Sequence, residues 1–300
     1  MELGVNKKRR YKNLGTQNIA YLLITPNLII YTVFIIIPIL WSVVMSLTDY
    51  DLKAYHFIGL SNYINLFQDG TFLLSLWNTI CYSLLTIFPT MVLGLLLAML
   101  LNRNLHFRGA FRTLFYLPNI LSVVAVSMAW IYLYDTNAGI LNMLLKSLNL
   151  SPVAWVSSTK MSMISVAIMS VWQALGYNMV LFLAGLQQIP EYLYEAADVD
   201  GARFWSKFFN VTLPMLAPTT FFVFVMACIQ SFQVFGQVLI VTNGGPINST
   251  TTIAHQIYLN GFQYYKMGYA SSMAVILMLI ILVITLVNLK YGKGGENDLG

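Results

Sequence analysis

Three glutamines recur at helical spacing within an otherwise apolar stretch. Gln230, Gln233 and Gln237 are separated by three and four residues, which places their amides on one face of a helix. An amide donates and accepts hydrogen bonds without carrying a charge. Such a face suits the hydroxyl groups of a neutral solute, and it equally suits hydrogen bonds that hold helices together. The spacing therefore predicts either a polar path or a structural network.

An earlier apolar stretch contains a second polar and aromatic group. Gln173 and Asn178 offer amides, and Trp172 and Tyr177 beside them offer aromatic surface. We expect these residues to contribute to the same path from a neighbouring helix. The aligned glutamines are better candidates than Asn78 or Asn119 taken singly. The sequence thus predicts a substrate path built from two helices.

A short acidic segment lies between the two stretches. Its proline at position 190 suits the start of a helix, and Gly201 suits the end of one. Ala196 and Ala197 form a small-residue surface that permits close approach of a partner, to which Glu195 offers a carboxylate. The alternative is an interfacial helix pair whose aromatic residues rest on lipid headgroups.

Several kinds of chemistry are missing from the sequence. The Gly292-Lys293 pair lacks the upstream glycine of a phosphate-binding loop, so we expect any ATP to be bound by another chain. The two cysteines lie in apolar stretches and the three histidines lie in separate segments. The sequence therefore predicts no metal site, no catalytic residue and no cofactor bound by this chain.

The overall composition places these residues in lipid. The chain has 300 residues, of which 58% are hydrophobic and 9% are charged, whereas a soluble domain carries about 25% charged residues. An ordinary cytosolic enzyme is therefore excluded. The formal charge is +5, but the basic residues cluster beside apolar stretches and do not form the continuous face typical of nucleic-acid binding.

Six apolar stretches are long enough to cross the hydrocarbon core, which requires about 20 residues. None of them contains Asp, Glu, Lys or Arg. The predicted spans cover residues 19–47, 72–101, 113–134, 162–186, 213–241 and 269–289. A basic segment at 1–18 precedes this transmembrane domain (19–289), and a tail at 290–300 follows it. We predict an all-α, polytopic membrane protein.

The distribution of basic residues predicts the orientation of the chain. Twelve of the sixteen lysines and arginines lie on the side of the two termini and of the loop at 189–212. By the positive-inside rule, both termini and this loop face the cytoplasm. No predicted span contains Asp, Glu, Lys or Arg. The spans therefore offer no obvious side chain that would couple transport to an ion gradient.

The loop at 189–212 carries an ordered motif. It reads Glu195-Ala196-Ala197, two residues, Asp200-Gly201-Ala202, then Leu213-Pro214 with Pro218, and it is preceded by Leu186-Gln187-Gln188-Ile189-Pro190. The motif resembles the EAA loop of the membrane subunits of binding-protein-dependent ABC importers. Three further segments are similar to the carbohydrate-uptake branch, which includes maltose, disaccharide and glycerol-phosphate permeases: Phe111 to Pro118, Gly244 to Thr250, and Gly268 to Ser271. The chain resembles the compact six-span version of that branch.

The resemblance implies a type I importer permease fold and a set of partners. These are a second homologous permease subunit, two ATPase subunits that bind ATP and Mg, and an extracytoplasmic solute-binding protein. In such families the helix of the EAA loop fits a groove on the ATPase. We carry that coupling role onto the matching positions Glu195, Ala196, Ala197, Asp200 and Gly201.

The sequence therefore predicts a non-catalytic permease subunit of an ATP-driven sugar importer, in the cytoplasmic membrane of a prokaryote. We expect the solute to be an oligosaccharide. A glycerol-phosphate or polyol permease of the same family is the nearest alternative, but a phosphate ester requires cationic groups that the predicted spans lack. More distant alternatives are a secondary carrier or channel that works without ATP, and an intramembrane enzyme.

Overall fold

The structure, a computed structural model, describes residues 14–53, 55–103 and 106–292. In these ranges the regular elements are helices, and the only strand-like feature is an isolated antiparallel bridge between Thr48 and Phe57. The predicted basic segment at 1–18 and the tail at 290–300 fall largely outside the described residues.

The helices follow one another with short connections. They are α1 (Leu14–Tyr31), α2 (Ile37–Met45), α3 (Ser61–Gln68), α4 (Gly70–Leu101), α5 (Arg108–Ile120), α6 (Val123–Leu133), α7 (Ile140–Ser147), α8 (Ser162–Leu186), α9 (Glu191–Val199), α10 (Phe204–Lys207), α11 (Leu213–Met215), α12 (Ala217–Phe232), α13 (Gly236–Val241), α14 (Ile253–Tyr258) and α15 (Met267–Gly292). Single π-helical turns at Thr32–Ile36, Phe208–Thr212 and Leu259–Gln263 join neighbouring helices.

Four helical segments of the described chain are long and apolar enough to cross a membrane. They are Tyr21–Met45, Gly70–Leu101, Ser162–Leu186 and Met267–Lys290. Two bent pairs bring the number of spans to six if each pair crosses once: Arg108–Ile120 with Val123–Leu133, and Phe204–Met215 with Ala217–Phe232. The predicted all-α, polytopic fold is confirmed.

The third predicted span is not one continuous helix. The axes of α5 and α6 differ by 96°, because Leu121 takes an extended conformation and the Ser122 hydroxyl accepts the N–H of Val124 at 3.3 Å. Ser122 therefore acts as the N-cap of a new helix. Pro118, just before the bend, removes a backbone donor and weakens the last turn of α5.

The fifth predicted span is also interrupted. A 67° bend separates Phe204–Met215 from α12, and a second break follows Gln233, beyond which α13 begins at Gly236. At the second break the Thr252 hydroxyl donates to the carbonyl oxygen of Val234 at 3.0 Å. Irregular backbone is tolerated at membrane depth where it lines a cavity or is satisfied by protein. The expectation that Gln230 to Gln237 form one continuous helical face is therefore wrong.

Close helix packing organises the side of the bundle that carries α9. A Cβ atom on Gly94 of α4 would lie 2.9 Å from Cβ of Asn178 on α8, so the glycine is needed for this approach. The adjoining core contains Ala98, Leu101, Met179, Phe182, Leu183, Leu186, Ile189, Leu216 and Val223. Because Ile189 belongs to this core, the segment leading into α9 is anchored to the bundle.

Replacement of Gly176 by alanine is expected to destabilise the contact between α5 and α8. A Cβ atom there would overlap the carbonyl of Phe115 and lie 2.6 Å from Cα of Tyr116. Overpacking of this kind costs about 1–3 kcal/mol. Thermal unfolding of the purified protein should show a lower midpoint for Gly176→Ala and no change for Gly109→Ala, whose Cβ would meet no atom within 4 Å. Equal midpoints for both variants would contradict the backbone contact.

Candidate functional site

A cavity of about 390 Å³ lies between α4, α5, α8 and α12. Its lining consists of amides (Asn119, Gln173, Asn178, Gln230, Gln233, Gln237), hydroxyls (Tyr82, Thr86, Thr90, Ser170, Ser231) and small or apolar side chains (Ile87, Ala174, Ala227, Val234). Among the residues that the structure describes, none that lines the cavity is charged. The cavity can therefore solvate a neutral polar molecule but offers no counter-ion to a charged one.

The three glutamines of the fifth span converge on this cavity despite the break in their helix. Gln230 lies on α12, Gln233 ends that helix, and Gln237 lies on α13. None of the three side chains makes a hydrogen bond to another described residue of the chain. Within the described chain they are therefore available to a solute, and they do not form the interhelical network that their spacing also allowed.

The two predicted amides of α8 line the same cavity. The Gln173 side chain donates to the carbonyl oxygen of Leu121 at 3.5 Å, at the bend between α5 and α6, while its own oxygen is buried without a partner. Asn178 donates to the carbonyl oxygen of Ala174 at 3.1 Å. The structure thus brings all five predicted amides together.

The two aromatic residues predicted beside them stand apart. Trp172 and Tyr177 are on α8 but do not line the cavity. Trp172 packs edge-on against Trp130 with ring centroids 5.7 Å apart. The reason is rotation around the helix, since each of the two directly neighbours a cavity residue in sequence and therefore points about 100° away from it.

A polar stripe on α4 was not predicted from the sequence. Tyr82, Thr86 and Thr90 are spaced four residues apart and line the cavity. Three hydroxyls at this spacing in an apolar helix were the signal that could have identified them. Asn119, which was ranked below the glutamines, also belongs to the lining. The cavity wall is therefore built from more helices than predicted.

The segment between α8 and α12 forms the predicted short helix, α9. Gly201 ends it with φ +73°, a left-handed conformation that favours glycine. The Gly201 N–H donates to the carbonyl oxygen of Asp198 at 3.0 Å, and the Ala202 N–H donates to that of Ala197 at 2.9 Å. These two bonds make a Schellman motif, which fixes the direction in which the chain leaves α9.

One side of α9 is attached to the bundle. Leu193 and Tyr194 pack against the core that contains Ile189. The Tyr194 hydroxyl is 3.0 Å from the Thr212 hydroxyl, and Lys207 forms an ion pair with Asp198. The helix is therefore fixed to the body of the protein.

The opposite side of α9 has no neighbour in the described chain. Tyr192 and Val199 are 65% and 89% exposed, and Glu195 and Ala196 are also exposed. A groove of about 700 Å³ beside this face is lined in part by Ala196, Ala197, Asp200 and Gly201, so four of the five predicted coupling residues lie together. Within the described chain this face of α9 is therefore uncovered.

A loop at 242–252, with Thr250 to Thr252 buried, is held against α4 and the broken fifth span. The Asn78 amide donates to the carbonyl oxygens of Asn248 and Thr251 at 2.9 and 3.0 Å. Thr252, next in sequence, satisfies the backbone break at Val234 described above. The loop at 242–252 therefore holds the broken fifth span in place.

Acidification is expected to weaken this loop through His255. Its ring is 1% exposed, with Nδ1 3.1 Å from the Thr251 hydroxyl and Nε2 unpartnered. Burial lowers the pKa of His255 below its ordinary value of 6.5. The unfolded chain therefore binds a proton first, and stability is lost as the pH falls through about 6.5.

The measurement is the unfolding midpoint of the wild type at about pH 7.5 and about pH 5.5. The decrease should be larger than in His255→Gln, whose amide does not titrate. His56→Gln, which changes an exposed histidine, should behave as the wild type does. An identical decrease in all three proteins would contradict the role of His255.

The chain is similar to known transport proteins along nearly its whole length. A family model described as "binding-protein-dependent transport system inner membrane component" matches residues 90–291. The sn-glycerol-3-phosphate transport system permease protein UgpA of Yersinia pestis is 34% identical over 279 residues, which cover 91% of this chain and 93% of the relative. The arabinooligosaccharides transport system permease protein AraP of Bacillus subtilis is 33% identical over 273 residues, which cover 90% and 87%.

A solved structure has the same fold. It is a bacterial alginate ABC transporter in complex with alginate pentasaccharide-bound periplasmic protein, and the matching chain is 24% identical with a TM-score of 0.81 over 94% of this chain and 96% of that one. The family model covers two thirds of the sequence, including α9 and the cavity residues of α8, α12 and α13. The chain belongs to the family of binding-protein-dependent transport system inner membrane components, the permease subunits of ABC importers.

Proposed function

We propose that this chain is the permease subunit of an ATP-driven importer of neutral oligosaccharides and forms half of the translocation path. The uncharged cavity lined by amides and hydroxyls supports this proposal most strongly. Sugar hydroxyls both donate and accept hydrogen bonds, and amides match both roles. Each such bond contributes a net of about 0.5–1.5 kcal/mol.

The exposed face of α9 supports the second half of the proposal. Tyr192, Glu195 and Ala196 present apolar and acidic groups that a soluble partner can cover. That partner is an ATPase subunit, which binds ATP and Mg and supplies the driving force. Two such subunits, a second homologous permease and an extracytoplasmic solute-binding protein complete the complex. The chain itself performs no covalent chemistry.

The proposed mechanism is alternating access. Closure of the ATPase pair displaces α9 on each permease, and because Ile189 and Tyr194 anchor α9 to the bundle, the transmembrane helices move with it. The cavity then opens to the opposite side of the membrane. The complex lies in the cytoplasmic membrane of a prokaryote, with both termini and α9 on the cytoplasmic side.

A second candidate solute is glycerol phosphate or a polyol. The similarity to UgpA favours it, and the absence of charged residues from the cavity lining opposes a phosphate ester. Arginine or lysine binds phosphate through charge-assisted hydrogen bonds that amides cannot replace. A neutral solute therefore fits this chain better.

Reconstitution of the complete complex into proteoliposomes tests the proposal. Labelled neutral oligosaccharide, presented with the solute-binding protein, should accumulate only when ATP is supplied to the ATPase side, and sn-glycerol 3-phosphate should not compete. Efficient competition by sn-glycerol 3-phosphate would support the second candidate instead. Uptake that proceeds without ATP and stops when the ion gradient is dissipated would overturn both candidate functions and indicate a secondary carrier.

A further inference from the structure

Two arginines converge on one glutamine where α8 leads into α9. Gln187 is the C-cap residue of α8, two residues before the buried Ile189. With its amide oxygen turned toward α5, Gln187 accepts a hydrogen bond from Nη2 of Arg108 at 2.9 Å and one from Nη2 of Arg112 at 3.1 Å. A single neutral oxygen thus joins two guanidinium groups.

This arrangement is unfavourable for α5 on its own. Like charges four residues apart destabilise a helix, and Arg108 and Arg112 have that spacing. In the described chain the one ion pair joins Lys207 to Asp198, so neither arginine is paired with a carboxylate there. Nε of Arg112 is also buried without a partner. A sequence that departs from local stability rules in this way often does so for function.

The two helices joined by these contacts are packed backbone against backbone. At Gly176 of α8 there is no room for a Cβ atom beside Phe115 and Tyr116 of α5. Closely packed helices move as a unit because dense interiors transmit displacement. A displacement at Gln187 is therefore carried along both α5 and α8.

The other end of the same helix pair forms part of the cavity wall. Asn119 is seven residues beyond Arg112, or about 10 Å along α5, and lies within about 20° of the same helical face. Asn119 and Gln173 both line the cavity, and Gln173 contacts the carbonyl oxygen of Leu121 at the end of α5. The α5–α8 pair therefore extends from the base of α9 to the cavity.

We propose that Arg108 and Arg112 are positioning residues that clamp the base of α9 to α5, so that displacement of α9 by the ATPase moves the cavity wall. The clamp acts through Gln187 and touches neither the solute nor the ATPase. This inference rests on the proposed function, since it requires an ATPase that displaces α9. Loss of the clamp separates ATP hydrolysis from transport without removing either binding surface.

The test uses the complete complex in proteoliposomes and measures the number of solute molecules imported per ATP hydrolysed. Arg112→Gln and Gln187→Leu should assemble and hydrolyse ATP, with the transport ratio reduced about fivefold or more. Gln187→Glu, which retains an acceptor for both arginines, should stay within about twofold of the wild type. Gln188→Leu, at the neighbouring exposed position, is the matched control and should leave the ratio unchanged.

A double variant that exchanges Arg112 and Gln187 distinguishes a positioning role from a general loss of protein stability. Arg112→Gln combined with Gln187→Arg exchanges the two ends of the bond and should restore the ratio that Arg112→Gln loses. If the single variants keep the wild-type ratio, or lose uptake and hydrolysis in equal proportion without rescue by the swap, the clamp is overturned. Failure of the wild-type complex to import any solute with ATP would instead contradict the proposed function.

Discussion

Replacing Gly201 by valine is expected to reduce ATP-driven uptake about tenfold or more while the protein still inserts into the membrane. Gly201 has φ +73°, where a residue with a Cβ atom costs about 1–2 kcal/mol and a β-branched residue costs more. A cost of 1.4 kcal/mol corresponds to about tenfold in an equilibrium. The substitution breaks the Schellman motif and so redirects the chain beyond α9, which misplaces the face that we propose docks on the ATPase.

The local structure allows this effect to be separated from steric overlap. No atom lies within 4 Å of a Cβ built on Gly201, so the penalty arises from the backbone alone. Asparagine tolerates the left-handed conformation, and Gly201→Asn should therefore retain most uptake, with Gly201→Ala in between. Uptake and ATP hydrolysis are measured in proteoliposomes at matched protein levels. Equal uptake by the valine and asparagine variants would refute the role of the αL turn.

The short helix could be predicted from sequence because its signals are local. A proline begins it, Gly201 ends it, and small residues mark the exposed face. The apolar spans could also be predicted from the sequence, because an apolar stretch must have a certain length to cross the membrane. What the sequence did not reveal is how α9 is fixed to the bundle. The contacts of Tyr194 with Thr212 and of Gln187 with two arginines join residues that are distant in the chain.

The breaks in the third and fifth spans show a second limit. Hydropathy is continuous across Leu121 and across Gln233, so it predicts unbroken helices there. The break at Val234 depends on Thr252, which is 18 residues away in the sequence. The three glutamines were identified from helical spacing that the structure does not preserve. They still converge, because α12 ends at the cavity and α13 begins beside it.

Replacing Gln233 by glutamate is expected to reduce uptake of a neutral oligosaccharide about tenfold at neutral pH. The Gln233 side chain lines the cavity, is exposed, and has no hydrogen-bond partner in the described chain. Glutamate has nearly the same shape, so the change introduces a charge and removes two donors. The described part of the chain places no cation in the lining to compensate this charge. A solute that displaces water from the carboxylate must therefore overcome its desolvation cost.

Three companion variants determine what such a loss means. Gln263→Glu places the same charge on an exposed glutamine outside the cavity and should leave uptake unchanged. Gln233→Leu keeps the volume without polarity and should reduce uptake less than the glutamate does. Gln233→Arg distinguishes the solute classes, because a cation impairs a neutral sugar path but assists a phosphate ester. Wild-type uptake by Gln233→Glu would place the translocation path elsewhere. If Gln233→Arg increases the import of sn-glycerol 3-phosphate and no variant imports the oligosaccharide, this cavity is assigned to an anionic solute.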